Sequence, residues 1–246
     1  MQLEICVDTF ASAHAAFQGG ADRIEVCSAL PLGGLTPTIG LLRQVKRAYP
    51  QGIAMCMLRP RGGDFVYDAN EMATALDDLQ ALKEAGADGF VFGALDRDGN
   101  IDEEACGDVI RLAKPLPVTL HRAIDHSIDW QRALETAIGL GFSRVLSSGQ
   151  ATTAIEGIVT LTRMVAKAIG RIGIVVGSGV SPETLPQLLM KMNTHVDFHG
   201  SASASVAPSS VHRPAFAMGS VDTDVRRETS VDIVRRMKAL LRDSAS

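Results

Sequence analysis

The sequence lacks both a long apolar run and an excess of basic charge. No uninterrupted apolar stretch approaches the roughly 18 residues of a membrane-spanning helix, so no membrane span is predicted. Lysine and arginine total 24 against 28 aspartate and glutamate residues, which gives a net charge of −4. A protein whose main partner is a nucleic acid or an anionic membrane usually carries the opposite sign. Neither kind of partner is therefore expected.

Cysteine is also sparse, and the start of the chain has no targeting pattern. Four cysteines without a CxxC spacing are too few and too scattered for a disulfide framework: Cys6, Cys27, Cys56 and Cys106. The first residues include Glu4 and Asp8 but no basic cluster, which is not the pattern of a secretory signal. These features predict a cytoplasmic protein with reduced thiols.

Short apolar runs alternate with helical patterns along the chain, and this alternation predicts the fold. Strands are predicted at residues 3–7, 22–27, 53–59, 88–93, 117–121, 144–147, 172–177 and 195–199. Helices are predicted at 9–18, 36–48, 70–85, 103–113, 130–140, 153–168, 182–191 and 230–241. Strict alternation gives parallel strands joined by right-handed crossovers. The 246 residues allow about 31 for each of eight units, so we predict an α/β protein, one (β/α)8 TIM barrel spanning residues 1–246 as a single domain.

The alternative architecture is an open, doubly wound sheet. No GxGxxG follows the first predicted strand, which weakens the dinucleotide-binding version of that fold. No nucleotide cofactor is therefore expected.

The segment from about residue 200 to 229, between the last strand and the last helix, breaks the alternation. It shows no clear period and contains Pro208, Pro214 and Gly219. A loop of this length is long for a compact domain. It is expected to be either a mobile surface loop or a lid over the barrel mouth, and the sequence leaves both open.

Charged residues within the predicted strands point to a site. By the two-residue period of a strand, Glu4 shares a face with Cys6, and Glu25 shares a face with Cys27. Together with Arg59, which ends the third strand, the two glutamates are predicted to form one charged layer. Glu25 and Glu4 are candidate general acids or bases, with pKa values set by burial and by Arg59, and His121 is a further candidate base. The alternative is an ion-pair network that only stabilises the fold.

Further polar and small residues follow the other strands, at the end of the barrel where TIM-barrel enzymes perform their chemistry. Loops after strands seven and eight commonly bind phosphate through backbone N–H groups, and arginines add bidentate donors. A mouth that binds a small anion is therefore predicted, with these ligand-binding residues: Arg59, Arg61, Arg122, Ser148, Gly177, Gly179, His199 and Ser201.

Cys6 and Cys27 lie on neighbouring predicted strands, which run about 4.8 Å apart. Two thiolates in a near-linear array suit a soft ion such as Cu(I). The alternative is that both are small buried hydrophobic residues, a common role of cysteine. The methionines are scattered and add no copper-binding repeat.

Several longer strings are similar to the CutC family, which is named for copper homeostasis. The most specific is Arg-Pro-Arg-Gly-Gly-Asp-Phe at 59–65, and others lie at 3–8, 19–27, 33–37, 121–125, 147–150 and 198–202. The resemblance runs from residue 3 to about 202 and more loosely to the end. It departs after strand seven, where many members have Pro-Gly-Gly-Gly and this chain has Val-Gly-Ser-Gly at 176–179.

The resemblance implies a cytoplasmic barrel with a role in copper tolerance or trafficking and with self-association as a homodimer or larger homo-oligomer. It also implies that Cys6 and Cys27 are Cu(I) ligands. The residues themselves keep two other hypotheses open. One is an enzyme acting on a small anionic or phosphorylated metabolite at the barrel mouth, and the other is a binding barrel without chemistry.

Overall fold

Eight parallel strands close into a barrel in the computed structural model, which describes residues 1–192, 196–207, 210–212 and 226–244. The strands are β1 (Leu3–Val7), β2 (Arg23–Val26), β3 (Ile53–Met57), β4 (Gly89–Phe92), β5 (Val118–Leu120), β6 (Arg144–Ser147), β7 (Gly173–Val176) and β8 (Val196–Gly200). Each strand pairs with the next along the chain, and β8 pairs with β1. The predicted TIM barrel is thereby confirmed.

Helices follow the strands around the outside of the barrel. They are α1 (Phe10–Gly19), α2 (Ile39–Ala48), α3 (Ala69–Glu84), α4 (Glu103–Ala113), α5 (Ala123–His126), α6 (Trp130–Leu140), α7 (Ile158–Ala168), α8 (Leu185–Lys191) and α9 (Val231–Asp243). The sequence predicted all of these except α5, which at four residues is too short to show a helical period. A 3-10 turn at Leu30–Leu32 was missed for the same reason. Within the described part of the chain, no helix is both long enough and apolar enough to cross a membrane.

Polar side chains begin several of the helices. Asp68 accepts hydrogen bonds from the first turn of α3, and Glu71 completes a capping box with it. Asp102 likewise accepts the Ala105 N–H at 3.0 Å at the start of α4. These caps set the residue at which each helix begins. They therefore also set where the preceding loop ends, and these loops surround the mouth of the barrel.

The strands divide their side chains between helices and barrel interior. Leu3, Ile5 and Val7 of β1 are fully buried in the main apolar core, while Glu4 and Cys6 point to the other side. The register staggers neighbouring strands, so that Glu4 lies opposite Arg23, and Cys6 lies opposite Glu25. Arg23 and Glu25 therefore belong to successive layers of the barrel interior.

A two-stranded antiparallel ribbon lies within the segment expected to be a loop. Its strands are β9 (Ser203–Val206) and β10 (Arg226–Thr229). The Thr229 N–H donates to Ser12 Oγ of α1 at 3.1 Å, which ties the end of the ribbon to the barrel. Pro208, Pro214 and Gly219 lie outside the described residues. The alternating Ser-Ala-Ser-Ala-Ser at 201–205 contains the strand signal, but its residues are small and give a weak period.

Candidate functional site

A cavity of about 890 Å³ opens at the carboxyl end of the barrel strands. Its size is within the range of small-molecule sites. Strand ends, the loops that follow them and the ribbon all contribute to its wall. Its polar lining includes four arginines and several acidic, imidazole and thiol groups: Arg59, Arg122, Arg226, Arg227, Asp8, Glu25, Glu228, His121, His199 and Cys6.

Glu4 lies beneath this cavity between two cationic partners. Arg23 Nε donates to its Oε2 at 2.5 Å, and His199 Nδ1 is 2.8 Å from its Oε1. Burial alone would raise the pKa of Glu4, but His199 and then Arg23 outweigh it and lower the pKa to about 2. Glu4 is therefore an anion, and this makes it a poor general acid.

Glu25 lies in the opposite electrostatic environment. Cys27 Sγ donates to its Oε1 at 3.1 Å, whereas its Oε2 has no hydrogen-bond partner among the described residues. Burial raises the pKa of Glu25, and the nearby charge of Glu4 acts in the same direction. One ligand atom from each of Glu4, Glu25 and His199 lies within 4.8 Å of the other two.

His199 connects the two sides of this cluster. Burial alone would lower its pKa, but the charge of Cys6 and Glu25, with hydrogen bonds to Cys6 and Glu4, raises the pKa well above its usual value. Gly177 lies beside the ring, and a β-carbon there would be 3.6 Å from His199 Cβ and 2.7 Å from Leu146 Cδ1. A side chain at position 177 would therefore crowd the wall next to the imidazole.

Sulfur atoms gather on the neighbouring part of the barrel interior. Cys6 is half-buried and lines the cavity, while Cys27 is buried in a small cluster with Met55 and Met57. Burial and the adjacent Glu25 raise the pKa of the Cys27 thiol. The scattered methionines of the sequence thus include two that the fold brings to the predicted cysteine pair.

Arg59 is not part of the carboxylate layer, and that prediction is wrong. Its guanidinium extends over the Phe65 ring and donates to the carbonyls of Leu32 at 2.8 Å and Gly63 at 2.9 Å. The cation that pairs with Glu4 is Arg23 instead. Arg59 leaves the barrel interior because β3 ends at Met57, so the two-residue period no longer orients it. Among described residues it has no salt-bridge partner, although it is only 7% exposed.

The remaining predicted anion ligands divide into two groups. Arg122, Gly179, His199 and Ser201 line the cavity, and Arg122 is paired with Asp125 at 2.9 Å. Arg61, Ser148 and Gly177 do not line it. Arg61 instead bonds to Glu71 and to loop carbonyls. The Ser148 hydroxyl is bonded to Asp125 and Ala151.

His121 lines the cavity as a neutral residue. Its Nδ1 accepts the Ala123 N–H at 3.1 Å, and its ring packs 4.8 Å from that of Phe65. Burial, with the positive charge of Arg59, lowers its pKa to about 3. A side chain with so low a pKa is a weak base at neutral pH.

Sequence reasoning missed several residues of the site. Arg23 shares the inward face of β2 with Glu25, and the same period that identified Glu25 could have identified it. Asp197 shares a face with His199 and bonds Arg23 at 2.9 Å. Arg226 and Arg227 reach the cavity from β10, and no local signal in the sequence places them there.

Together, the closed barrel and the polar cavity at the carboxyl ends of its strands define a TIM-barrel protein with a ligand-accepting mouth. Comparison with known proteins then gives the family. The model of the CutC family matches residues 1–204, and this chain belongs to that family. The copper homeostasis protein cutC homolog of Caenorhabditis elegans is 45% identical over 241 residues, which cover 98% of this chain and 95% of the relative. The human homolog of the same name is 45% identical over 203 residues, covering 82% of this chain and 74% of the relative.

Solved structures agree with the fold. A crystal structure of the copper homeostasis protein CutC from Streptococcus agalactiae matches with a TM-score of 0.77 at 28% identity, covering 82% of this chain and 98% of that one. The 3-hexulose-6-phosphate synthase of Salmonella typhimurium matches with a TM-score of 0.62 at 17% identity, covering 99% of this chain and all of that one. The second match shows a shared fold only.

Proposed function

We propose that this member of the CutC family takes part in copper homeostasis by binding Cu(I) at the barrel mouth through Cys6 and Cys27. The observation that carries the proposal is the concentration of sulfur on β1, β2 and β3, where Cys6 lines the cavity and Cys27 packs with Met57. Thiolates and thioethers are soft ligands that favour Cu(I) over the hard divalent cations.

The local chemistry fits such an ion. The Cys27 thiol donates a hydrogen bond to Glu25 Oε1, so Glu25 is placed to accept the proton that metal binding displaces. The raised pKa of Cys27 means that this thiol stays protonated without a metal, so ion and proton compete for the same sulfur. Reduced thiols and Cu(I) both require a reducing compartment, which supports a cytoplasmic location.

Titration of the reduced protein against a Cu(I) chelator tests this proposal. We expect about one Cu(I) per chain in the wild type and a loss of affinity of at least tenfold in a Cys6→Ser, Cys27→Ser double variant, because serine oxygen is a much harder ligand. A Cys56→Ser, Cys106→Ser double variant is the matched control, since both of these cysteines are buried in the main core rather than at the mouth. Equal Cu(I) affinity in the wild type and the Cys6/Cys27 variant would exclude the proposal.

A second candidate function is the binding, and conversion, of a small anionic metabolite. The specific observation is Arg59, a buried guanidinium at the cavity wall that has no described carboxylate partner. A buried charge without a counter-ion is costly, and a bound phosphate or carboxylate would supply one. The cavity volume of about 890 Å³ also exceeds what a single metal ion needs.

Thermal-shift measurements with inorganic phosphate and a panel of sugar phosphates test this second function. A ligand that occupies the site stabilises the native state, and we expect an Arg59→Gln variant to reduce that stabilisation strongly. Arg61→Gln is the matched control, because Arg61 lies two residues away but does not line the cavity. Two results would argue against an anion site at Arg59. One is a ligand that stabilises the wild type and Arg59→Gln equally, and the other is a stabilisation that Arg59→Gln and Arg61→Gln both lose to the same extent.

A further inference from the structure

Next to the sulfur atoms, the barrel interior contains a group of ligands with different chemistry. Glu4 lies on β1, Glu25 on β2 and His199 on β8. In the closed barrel β1 is paired with both β2 and β8. Their ligand atoms approach within 4.8 Å of one another. We infer that these three side chains form a site for a divalent cation of borderline hardness, of which Zn²⁺ is the type, with ligands other than the thiols proposed for Cu(I).

The donor set supports a borderline ion. Imidazole nitrogen is a ligand of Zn²⁺, Fe²⁺ and Ni²⁺, and carboxylate oxygen serves both these and harder ions. A tetrahedral zinc with bonds of about 2.0–2.2 Å holds its ligand atoms ~3.4 Å apart. The present separations lie within reach of that geometry after small side-chain rotations.

An unsatisfied buried atom is the second observation. Glu25 is 3% exposed, and within the described part of the chain its Oε2 has no hydrogen-bond partner. Such an atom loses its hydration without compensation, and a bound cation would restore a partner to it. Arg23 pairs with Glu4 and Asp197, and among the described residues its Nη2, like Glu25 Oε2, has no hydrogen-bond partner.

The site also has the second-shell support that metal sites show. Glu4 is held by Arg23 at 2.5 Å, and His199 is oriented by its contact with Glu4 at 2.8 Å. Carboxylates that bind a metal are usually hydrogen-bonded in turn, and Arg23 is that partner of Glu4. Glu25 and His199 line the cavity, so a coordination position faces the space where a small molecule would lie. Three protein ligands with one open position are typical of catalytic rather than structural zinc.

The experiment measures Zn²⁺ binding by calorimetry and by competition with a zinc chelator. We expect the wild type and the Cys6→Ser, Cys27→Ser variant to bind one Zn²⁺ with similar affinity. Glu25→Gln and His199→Gln should each weaken Zn²⁺ binding by tenfold or more. Asp8→Asn is the matched control, because Asp8 follows β1 and lines the same cavity but lies outside the cluster.

The two metal proposals can fail separately. Loss of Zn²⁺ binding in the cysteine variant, with retention in Glu25→Gln, would show that thiols are the zinc ligands and overturn the inference. Absence of Zn²⁺ binding by the wild type would also overturn it. Anomalous scattering from a zinc-soaked crystal of the wild type locates the bound ion directly. This test does not depend on whether any variant folds. We expect a peak between Glu25 and His199, and a single peak elsewhere would contradict the site.

Discussion

At the scale of single residues, Glu4 and Glu25 show how the barrel differentiates identical side chains. The pKa of Glu4 is lowered to about 2 by His199 and Arg23 against the effect of burial, whereas burial raises the pKa of Glu25. Their surroundings thus push the pKa values of two nearby carboxyl groups in opposite directions. Glu25 is therefore the better candidate for a general acid, and the sequence could not rank the two because that ranking depends on Arg23 and His199.

His121 gives a prediction about stability and pH. Its pKa is about 3 in the folded state and close to 6.5 in the unfolded chain, so only the unfolded chain gains this proton between those values. The stability that neutral His121 contributes is present above pH 6.5 and is lost as the pH falls. As the pH falls below 6.5, we expect the free energy of unfolding to decline faster in the wild type than in His121→Gln. The difference between the two slopes is expected to be up to about 1.4 kcal/mol per pH unit.

Urea denaturation of both proteins between pH 7 and pH 4 measures this difference. Taking the difference between the two free energies of unfolding removes the contribution of groups that titrate equally in both proteins, including Glu25. Parallel pH profiles would contradict a neutral, buried His121.

At the scale of elements, the strands were predictable and the ribbon was not. Each barrel strand is a short apolar run between helical patterns, and burial on both faces forces that composition. Ser203–Val206 and Arg226–Thr229 pair with each other rather than with the barrel, so they lack an apolar face and carry little signal. Arg59 is a similar case. Its position after β3 identified it as a candidate ligand, but it bonds to loop carbonyls instead of Glu4, and no sequence pattern specifies those carbonyls.

The packing of α1 against α9 supports this ribbon, since α9 follows β10 directly. A β-carbon at Gly19 would lie 2.5 Å from Val234 Cβ and 3.0 Å from the Val231 carbonyl oxygen. We expect Gly19→Ala to lower the free energy of unfolding by about 1–3 kcal/mol through overpacking, although alanine is the better helix former.

Gly107 provides the matched control for this substitution. It lies within α4, and a β-carbon there meets no atom within 4 Å. Gly107→Ala is expected to raise the free energy of unfolding by up to about 1 kcal/mol, as measured by the same denaturant titration. Stabilisation by both substitutions would show that the α1–α9 contact is looser than the structure indicates.

At the scale of the whole molecule, the barrel collects soft and hard ligands at one mouth. Cys6, Cys27 and Met57 offer sulfur, Glu25 and His199 offer oxygen and nitrogen, and Arg59 offers an unpaired positive charge. The sequence indicated this mouth because parallel strands bring their carboxyl ends together. It could not show that Cys6 lies opposite Glu25, because that pairing follows from the register between β1 and β2.

Copper bound to this protein is proposed to be held by sulfur from Cys6 and Cys27. X-ray absorption at the copper edge of the Cu(I)-loaded wild-type protein identifies the ligands, because the spectrum reports which elements bind the ion. We predict two or three sulfur neighbours, and their replacement by lighter atoms or the loss of bound copper in the Cys6→Ser, Cys27→Ser variant. A wild-type spectrum with only nitrogen and oxygen neighbours would contradict the claim.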